Sequence, residues 1–93
     1  MMKRRAVAGT LESNDIYIVL EERPGDLLIE LESIVLLQYG RSIRQSLMAV
    51  LDSEGIERNV HIKATDKGAL PCTIEARMRT VLGRAGLLKG GAS

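Results

Sequence analysis

The sequence predicts an α+β domain. It is a two-layer sandwich with the order β-β-β-α-β-α, a mostly antiparallel four-stranded sheet, and two helices on one face. Three observations predict it. Short stretches alternate apolar and polar side chains with a period of two, as in Leu27 to Glu32. Two longer stretches, after Ser33 and after Pro71, repeat apolar residues at intervals of three and four. The chain has 93 residues, enough for one modest core and not for two.

The first strand is predicted over Ala6 to Ser13, with Val7, Gly9 and Leu11 on one face and Ala8, Thr10 and Glu12 on the other. Gly9 inside it marks a bulge or a close approach of backbone. Ser13-Asn14-Asp15 is turn chemistry, because Asn and Asp tolerate positive φ and bond to their own backbone. Ile16 to Glu22 is a second strand, rich in β-branched residues. Ser13 is therefore placed at the start of a tight hairpin, protruding and accessible.

Glu22 to Asp26 reads as a loop, since Pro24-Gly25 suits the centre of a type II turn. Leu27 to Glu32 reads as a half-buried antiparallel strand, with Leu27, Ile29 and Leu31 inward and Glu30 and Glu32 outward. Ser33 is the candidate N-cap of the first helix. Leu36, Gly40, Ile43, Leu47, Val50 and Leu51 form its apolar stripe, and Gly55 ends it. Gly40 costs about 1 kcal/mol in a helix interior, so a start nearer Tyr39 is an alternative.

A fourth strand follows, with Val60, Ile62 and Ala64 alternating with His61, Lys63 and Thr65. Asp66-Lys67-Gly68 is a turn. Pro71 fits the first turn of the second helix and keeps Leu70 extended. Ile74, Met78, Val81, Leu82 and Ala85 form its stripe, Glu75 and Arg79 an i,i+4 pair on its exposed side, and Gly86 its cap. Residues 1–5 are expected to be a flexible N-terminus, 6–86 the domain, and 87–93 a flexible tail.

Composition excludes several classes of function. The two tyrosines are the only aromatic residues, too few for a sheet that stacks bases. A net charge of +1 gives no field to draw the chain onto nucleic acid or an acidic membrane. One cysteine, Cys72, rules out an internal disulfide and a thiolate cluster. One histidine, His61, rules out a His-rich metal site. The basic start at Met1 to Arg5 is followed by no long apolar stretch, so neither a secretory signal nor a membrane segment is expected. The default compartment is then the cytoplasm.

No catalytic constellation emerges. Cys72 and His61 lack a third orienting group and an oxyanion site, and read as a small buried cysteine at a helix start and a solvent-facing histidine on a strand. Asp15, Glu21, Glu22, Asp26, Glu30 and Glu32 match no calcium loop and read as solvated strand faces. Arg41, Arg44, Arg77, Arg79 and Arg84 read as a solvated helix surface. Gly83 to Gly86 lacks a phosphate-loop lysine. No catalytic and no metal-ligating residue is assigned. From its residues alone Ser13 is an ordinary turn residue.

Ala6-Val7-Ala8-Gly9-Thr10-Leu11-Glu12-Ser13-Asn14-Asp15 resembles the acyl carrier protein, or gamma subunit, family of citrate lyase. Asp66-Lys67-Gly68-Ala69-Leu70-Pro71-Cys72, followed by Ile74, Ala76 and Arg77, is a second resembling block, and Gln38-Tyr39-Gly40 with Ile43 and Arg44 a looser third. The resemblance runs from about Ala6 to Ala85. It departs from the family pattern at Asn14, where small residues are common, and at Pro71, where an acidic residue is typical.

The resemblance implies that Ser13 carries 2'-(5''-phosphoribosyl)-3'-dephospho-CoA through a phosphodiester. The thiol of that arm would hold acetyl and then citryl as thioesters. The implied partners are the alpha subunit, which exchanges acetyl for citrate, and the beta subunit, which releases oxaloacetate. A prosthetic-group transferase and an acetate ligase acting on the arm thiol complete the set, with no nucleic acid and no membrane. The carrier itself would be non-catalytic. Ordinary acyl carriers are four-helix bundles with Asp-Ser-Leu at a helix start. Here Gln45-Ser46-Leu47 lies inside a helix, and Ser46 reads as structural. The alternatives are a carrier of citramalate lyase or malonate decarboxylase, and a cofactor-free interaction module whose hairpin docks a partner.

Overall fold

The computed structural model describes residues 4–89. Its elements are β1 (Arg5–Gly9), β2 (Ile16–Asp26), β3 (Leu28–Ser33), α1 (Leu36–Ser53), β4 (Arg58–Asp66) and α2 (Pro71–Arg84). They form one four-stranded sheet in the order β1-β2-β4-β3. Buried residues alternate along each central strand: Ile16, Ile18 and Leu20 on β2, Val60, Ile62 and Ala64 on β4. This is the face that meets Leu47, Leu51, Ile74, Met78 and Leu82 of the two helices. The α+β sandwich with both helices on one face is thus as the periodicity predicts.

The direction of β3 differs from the prediction. It pairs in parallel with β4, Leu28 opposite His61 and Ser33 opposite Asp66. The last strand inserts between β2 and β3, and β3-α1-β4 is a parallel crossover unit with the helix as its connection. An edge strand with one buried face alternates in the same way whatever its partner's direction. Leu27, Ile29 and Leu31 do turn toward the core.

Several boundaries also differ. β1 stops at Gly9 and not at Ser13. Gly9 has φ 87°, and a Cβ there would lie 1.7 Å from the carbonyl oxygen of Ile16. The segment read as a loop at Glu22 to Asp26 continues β2 past an irregularity, with Asp26 opposite Arg58. The Asn59 side chain accepts a bond from the Gly25 amide at 2.9 Å and holds this strand end in place. The N-cap of α1 is Val35, not Ser33. Ser33 acts one step earlier: its Oγ accepts from the Val35 amide at 3.1 Å and donates to Asp66 at 2.8 Å. Gly40 is buried inside α1, so the helix starts well before Tyr39.

Leu70 is extended at ψ 155° and Pro71 opens α2. Arg79 makes its ion pair with Glu54, at 3.7 Å, and not with Glu75. Contacts are made up to the borders of the described residues. Arg4 donates to the Ala85 carbonyl at 3.0 Å. Leu87 and Leu88 pack against the core, and the Lys89 amide donates to Glu54 at 2.7 Å. The remainder of the expected flexible ends, 1–3 and 90–93, lies outside the described residues.

Gly9→Ala is expected to be strongly destabilising, because the collision is with backbone and the conformation is left-handed. A loss of about 3 kcal/mol or more, or a Tm lower by more than about 10 °C, should appear in thermal denaturation. An unchanged Tm would contradict this account of where β1 ends.

Candidate functional site

The connection from β1 to β2 carries Ser13. The Asp15 amide donates to the Glu12 carbonyl at 3.2 Å, closing a four-residue turn. Ser13 takes its second position and Asn14, at φ 65°, its third, the arrangement of a type II turn. An Asn at that place suits the backbone, since it is the residue after Gly that best tolerates a left-handed conformation. Ser13 is exposed. The side-chain bonds of the loop run among Thr10, Glu12, Asp15, Ile16 and Arg77, and leave the Ser13 hydroxyl without a partner among the described residues.

The turn protrudes but is not loose. The Asn14 amide donates to the Lys67 carbonyl and the Lys67 amide to the Asp15 carbonyl, each at 2.8 Å. These two bonds carry the β2–β4 ladder one step beyond the Ile16–Asp66 pair. The Asp66-Lys67-Gly68 turn is itself fixed, because buried Asp66 accepts from the Gly68 and Ala69 amides at 3.1 and 3.0 Å. The two blocks of sequence that carry the resemblance thus lie side by side, 50 residues apart in the chain.

Asp15 is the hub beneath Ser13. Its carboxylate accepts from Arg77 Nε at 3.0 Å and Arg77 Nη2 at 2.8 Å, a two-pronged pairing. It also accepts from the Thr10 hydroxyl and the Ile16 amide, both at 2.7 Å. The Thr10 hydroxyl in turn accepts from the Glu12 amide at 3.2 Å, so the chain is pinned on both sides of Ser13. The Arg77 hydrogen bonds lower the Asp15 pKa from 3.8 to about 2, against an opposing effect of burial; Thr10 and Ile16 add to the lowering. The same pairing raises Arg77 further above its ordinary value.

Asp15 was not legible as this hub from composition, where it falls among the solvated acids. Arg77 likewise falls among the solvated arginines. Their one sequence signal is that each closes a resembling block. Other arginines of that set are committed elsewhere: Arg44 donates to the Ile29 carbonyl and Arg84 to the Val7 carbonyl. Glu21 and Glu22 pair with Arg23 and Arg4. Among the described residues no group of three or more His, Cys, Asp and Glu side chains is arranged to hold a metal ion.

Cys72 is exposed at the start of α2, not buried. His61 alternates with buried Val60 and Ile62, so it points away from the helix layer. There its ring meets Glu30, and only 12% of the side chain is exposed. The sheet separates His61 from Cys72, and the two form no dyad. No helix among the described residues is long and apolar enough to cross a membrane.

The family model described as malonate decarboxylase delta subunit (MdcD) matches residues 3–85. A protein of Lacticaseibacillus casei named citrate lyase acyl carrier protein is 48% identical over 84 residues, 90% of this chain and 82% of that one. One of the same name from Treponema denticola is 44% identical over 86 residues, 90% of this chain and 94% of that one. A chain of a Pseudomonas malonate decarboxylase hetero-tetramer, solved in complex with malonate, shares the fold with a TM-score of 0.70 at 24% identity. It is covered over 84% of its length by 89% of this chain.

Asp15→Ala leaves the buried Ile16 amide without its acceptor, at an expected cost of about 1–3 kcal/mol. The acid limb gives a sharper test of the pairing. Asp15 binds its proton less readily when folded, so its contribution is complete above 3.8 and is lost as the pH falls toward 2. Wild type should lose Tm over that window more steeply than Arg77→Met. Parallel Tm profiles between pH 5 and 2 would contradict the assignment.

Proposed function

Since the chain belongs to the family of citrate lyase acyl carrier proteins and malonate decarboxylase delta subunits, we propose that it is the acyl carrier subunit of a citrate lyase, with Ser13 as its attachment residue. The observation that carries this reading is the form of the loop. An exposed hydroxyl without a partner among the described residues stands on a turn that is anchored underneath by Asp15, Arg77 and the Lys67 backbone.

The residues fit 2'-(5''-phosphoribosyl)-3'-dephospho-CoA. A modifying enzyme needs an accessible nucleophilic oxygen, and the turn offers one at exposed Ser13. Arg77, paired with Asp15 two residues along the chain from Ser13, keeps 40% of its side chain exposed. When bound, the group supplies a thiol on a long arm that carries acyl groups as thioesters. The protein's own part is mechanical. It holds the pivot still, so that the swing of the arm is not added to the wobble of a loop. Tethering then makes each encounter with a partner active site intramolecular.

The partners under this reading are the alpha and beta subunits of the lyase, which turn citrate into acetate and oxaloacetate. The prosthetic-group transferase and the ligase that acetylates the arm thiol act on the same turn and arm. The chain itself supplies no reacting group beyond the Ser13 hydroxyl, and the reading places it in the cytoplasm. A malonate decarboxylase carrier is the second reading, supported by the family description and by the shared fold.

Co-expression with the prosthetic-group transferase should add the mass of the group to the Ser13 peptide. Ser13→Ala should abolish that addition and change stability by no more than about 0.5 kcal/mol, as for a surface site. Modification that persists in the alanine variant would reject Ser13. Cys72→Ser, at an exposed position, should leave both the added mass and the reconstituted lyase activity unchanged.

A further inference from the structure

The geometry points to a landing site for the adenine ring of the arm: the apolar groove between the start of α1 and the β4–α2 turn. This inference rests on the attachment at Ser13 proposed above. The groove has a volume of about 400 Å³; Val35, Tyr39, Ile43, Leu70 and Ile74 give it a mainly apolar lining, to which Gly68, Ser42 and Asp66 also contribute. That is within the range of small-ligand sites, large enough for a purine and too small for the whole arm.

Its position relative to Ser13 is set by the backbone. Asn14 Oδ1 lies 3.6 Å from where a Cβ on Gly68 would be. Ser13 is one Cα step, about 3.8 Å, before Asn14. The groove therefore opens beside the attachment turn. Along the arm from the serine oxygen come a phosphate, a ribose and then the adenosine. Adenine is the first flat and largely apolar group on that path, two sugar rings from the anchor. The diphosphate beyond it is too polar for these walls.

The wall residues also point to a planar ligand. The chain has only two aromatic side chains. One of them, Tyr39, stands at this groove with 54% of its surface exposed. Ile34 and Leu70 beside it are 68% and 65% exposed, so a contiguous apolar rim is left open to water. A tyrosine face stacks on any base without needing a hydrogen-bond pattern. Weak affinity suffices, because a tethered ring is presented at an effective concentration on the order of millimolar. Seating the adenine here would shorten the freely moving part of the arm to the diphosphate and pantetheine.

The test is NMR on the apo and loaded full chain. Loading should shift the Val35, Tyr39, Gly68 and Ala69 amides and move the adenine H2 and H8 resonances upfield from those of free 3'-dephospho-CoA. Tyr39→Ala should return those protons to the free positions, and Tyr39→Phe should retain the shift. Dispersed β2 and β4 amides report that each variant is folded. If Tyr39→Ala does not fold, Leu70→Ser on the opposite wall should weaken the same shift. The apo chain titrated with 3'-dephospho-CoA should show saturable shifts at the same amides in the millimolar range. Shifts confined to residues 12–15 in the loaded protein would overturn the groove assignment. So would groove amides that ignore the arm and respond only to added transferase. Absence of the added mass at Ser13 would instead sink the attachment reading, and the titration would still decide the groove.

Discussion

The pairing of Asp15 with Arg77 is the constraint on which the rest of the site depends. It brings together the end of the β1–β2 loop and the middle of α2, across 62 positions of sequence. A carboxylate at that depth is stable because every donor around it is aimed at it: a guanidinium, a hydroxyl and a buried amide. One carboxylate thereby fixes three things at once: the first pair of β2, the approach of Thr10, and the seat of α2 under the loop. The cost of burying charge is met by complete satisfaction, and the return is a turn whose tip is rigid although its side chains are exposed.

Two aspartates divide the work at this end of the sheet. Asp15 precedes β2 and Asp66 ends β4, next to each other in register. Asp66 holds the turn into α2 and reaches Ser33 at the end of β3. The ends of three adjacent strands are thus tied by two side chains and the Lys67 backbone. A carrier needs this combination. The attachment residue has to stand clear of the fold, yet its position must be reproducible to partner enzymes that meet it repeatedly. Rigidity is supplied from below and access from above.

The apolar surface follows the same division. The fully buried side chains lie in the layer between sheet and helices, whereas most of the exposed large apolar ones among the described residues, Ile34, Leu36, Leu37, Tyr39 and Leu70, lie near the start of α1 and the β4–α2 turn; Leu11 stands in the Ser13 loop and Leu28 at the other end of β3. The start of α1 and the β4–α2 turn are at the end of the molecule at which Ser13 stands. On the opposite face of the sheet Glu30, His61 and Lys63 lie with half-buried Val7, Tyr17 and Val19. The end that carries Ser13 is therefore also the end with most of the exposed apolar side chains among the described residues.

The sequence by itself determined the element order, the core stripes and the exposed turn that holds Ser13, because these follow from local periodicity and turn chemistry. Ile16, Ile18 and Leu20, and likewise Ile74, Met78 and Leu82, are buried as their spacing demands. It also supplied, through Ala6 to Asp15 and Asp66 to Cys72, the resemblance that names a family. Only the tertiary structure decided that β4 lies between β2 and β3, that Ser33 serves Asp66 instead of capping α1, and that Cys72 is exposed. It alone decided that Asp15 and Arg77 are partners and not two solvated charges. The reason is the same in each case. Periodicity records which side of an element is apolar, but strand neighbours and ion pairs are set by contacts between residues far apart in the chain, whose local surroundings look alike whether they meet or not.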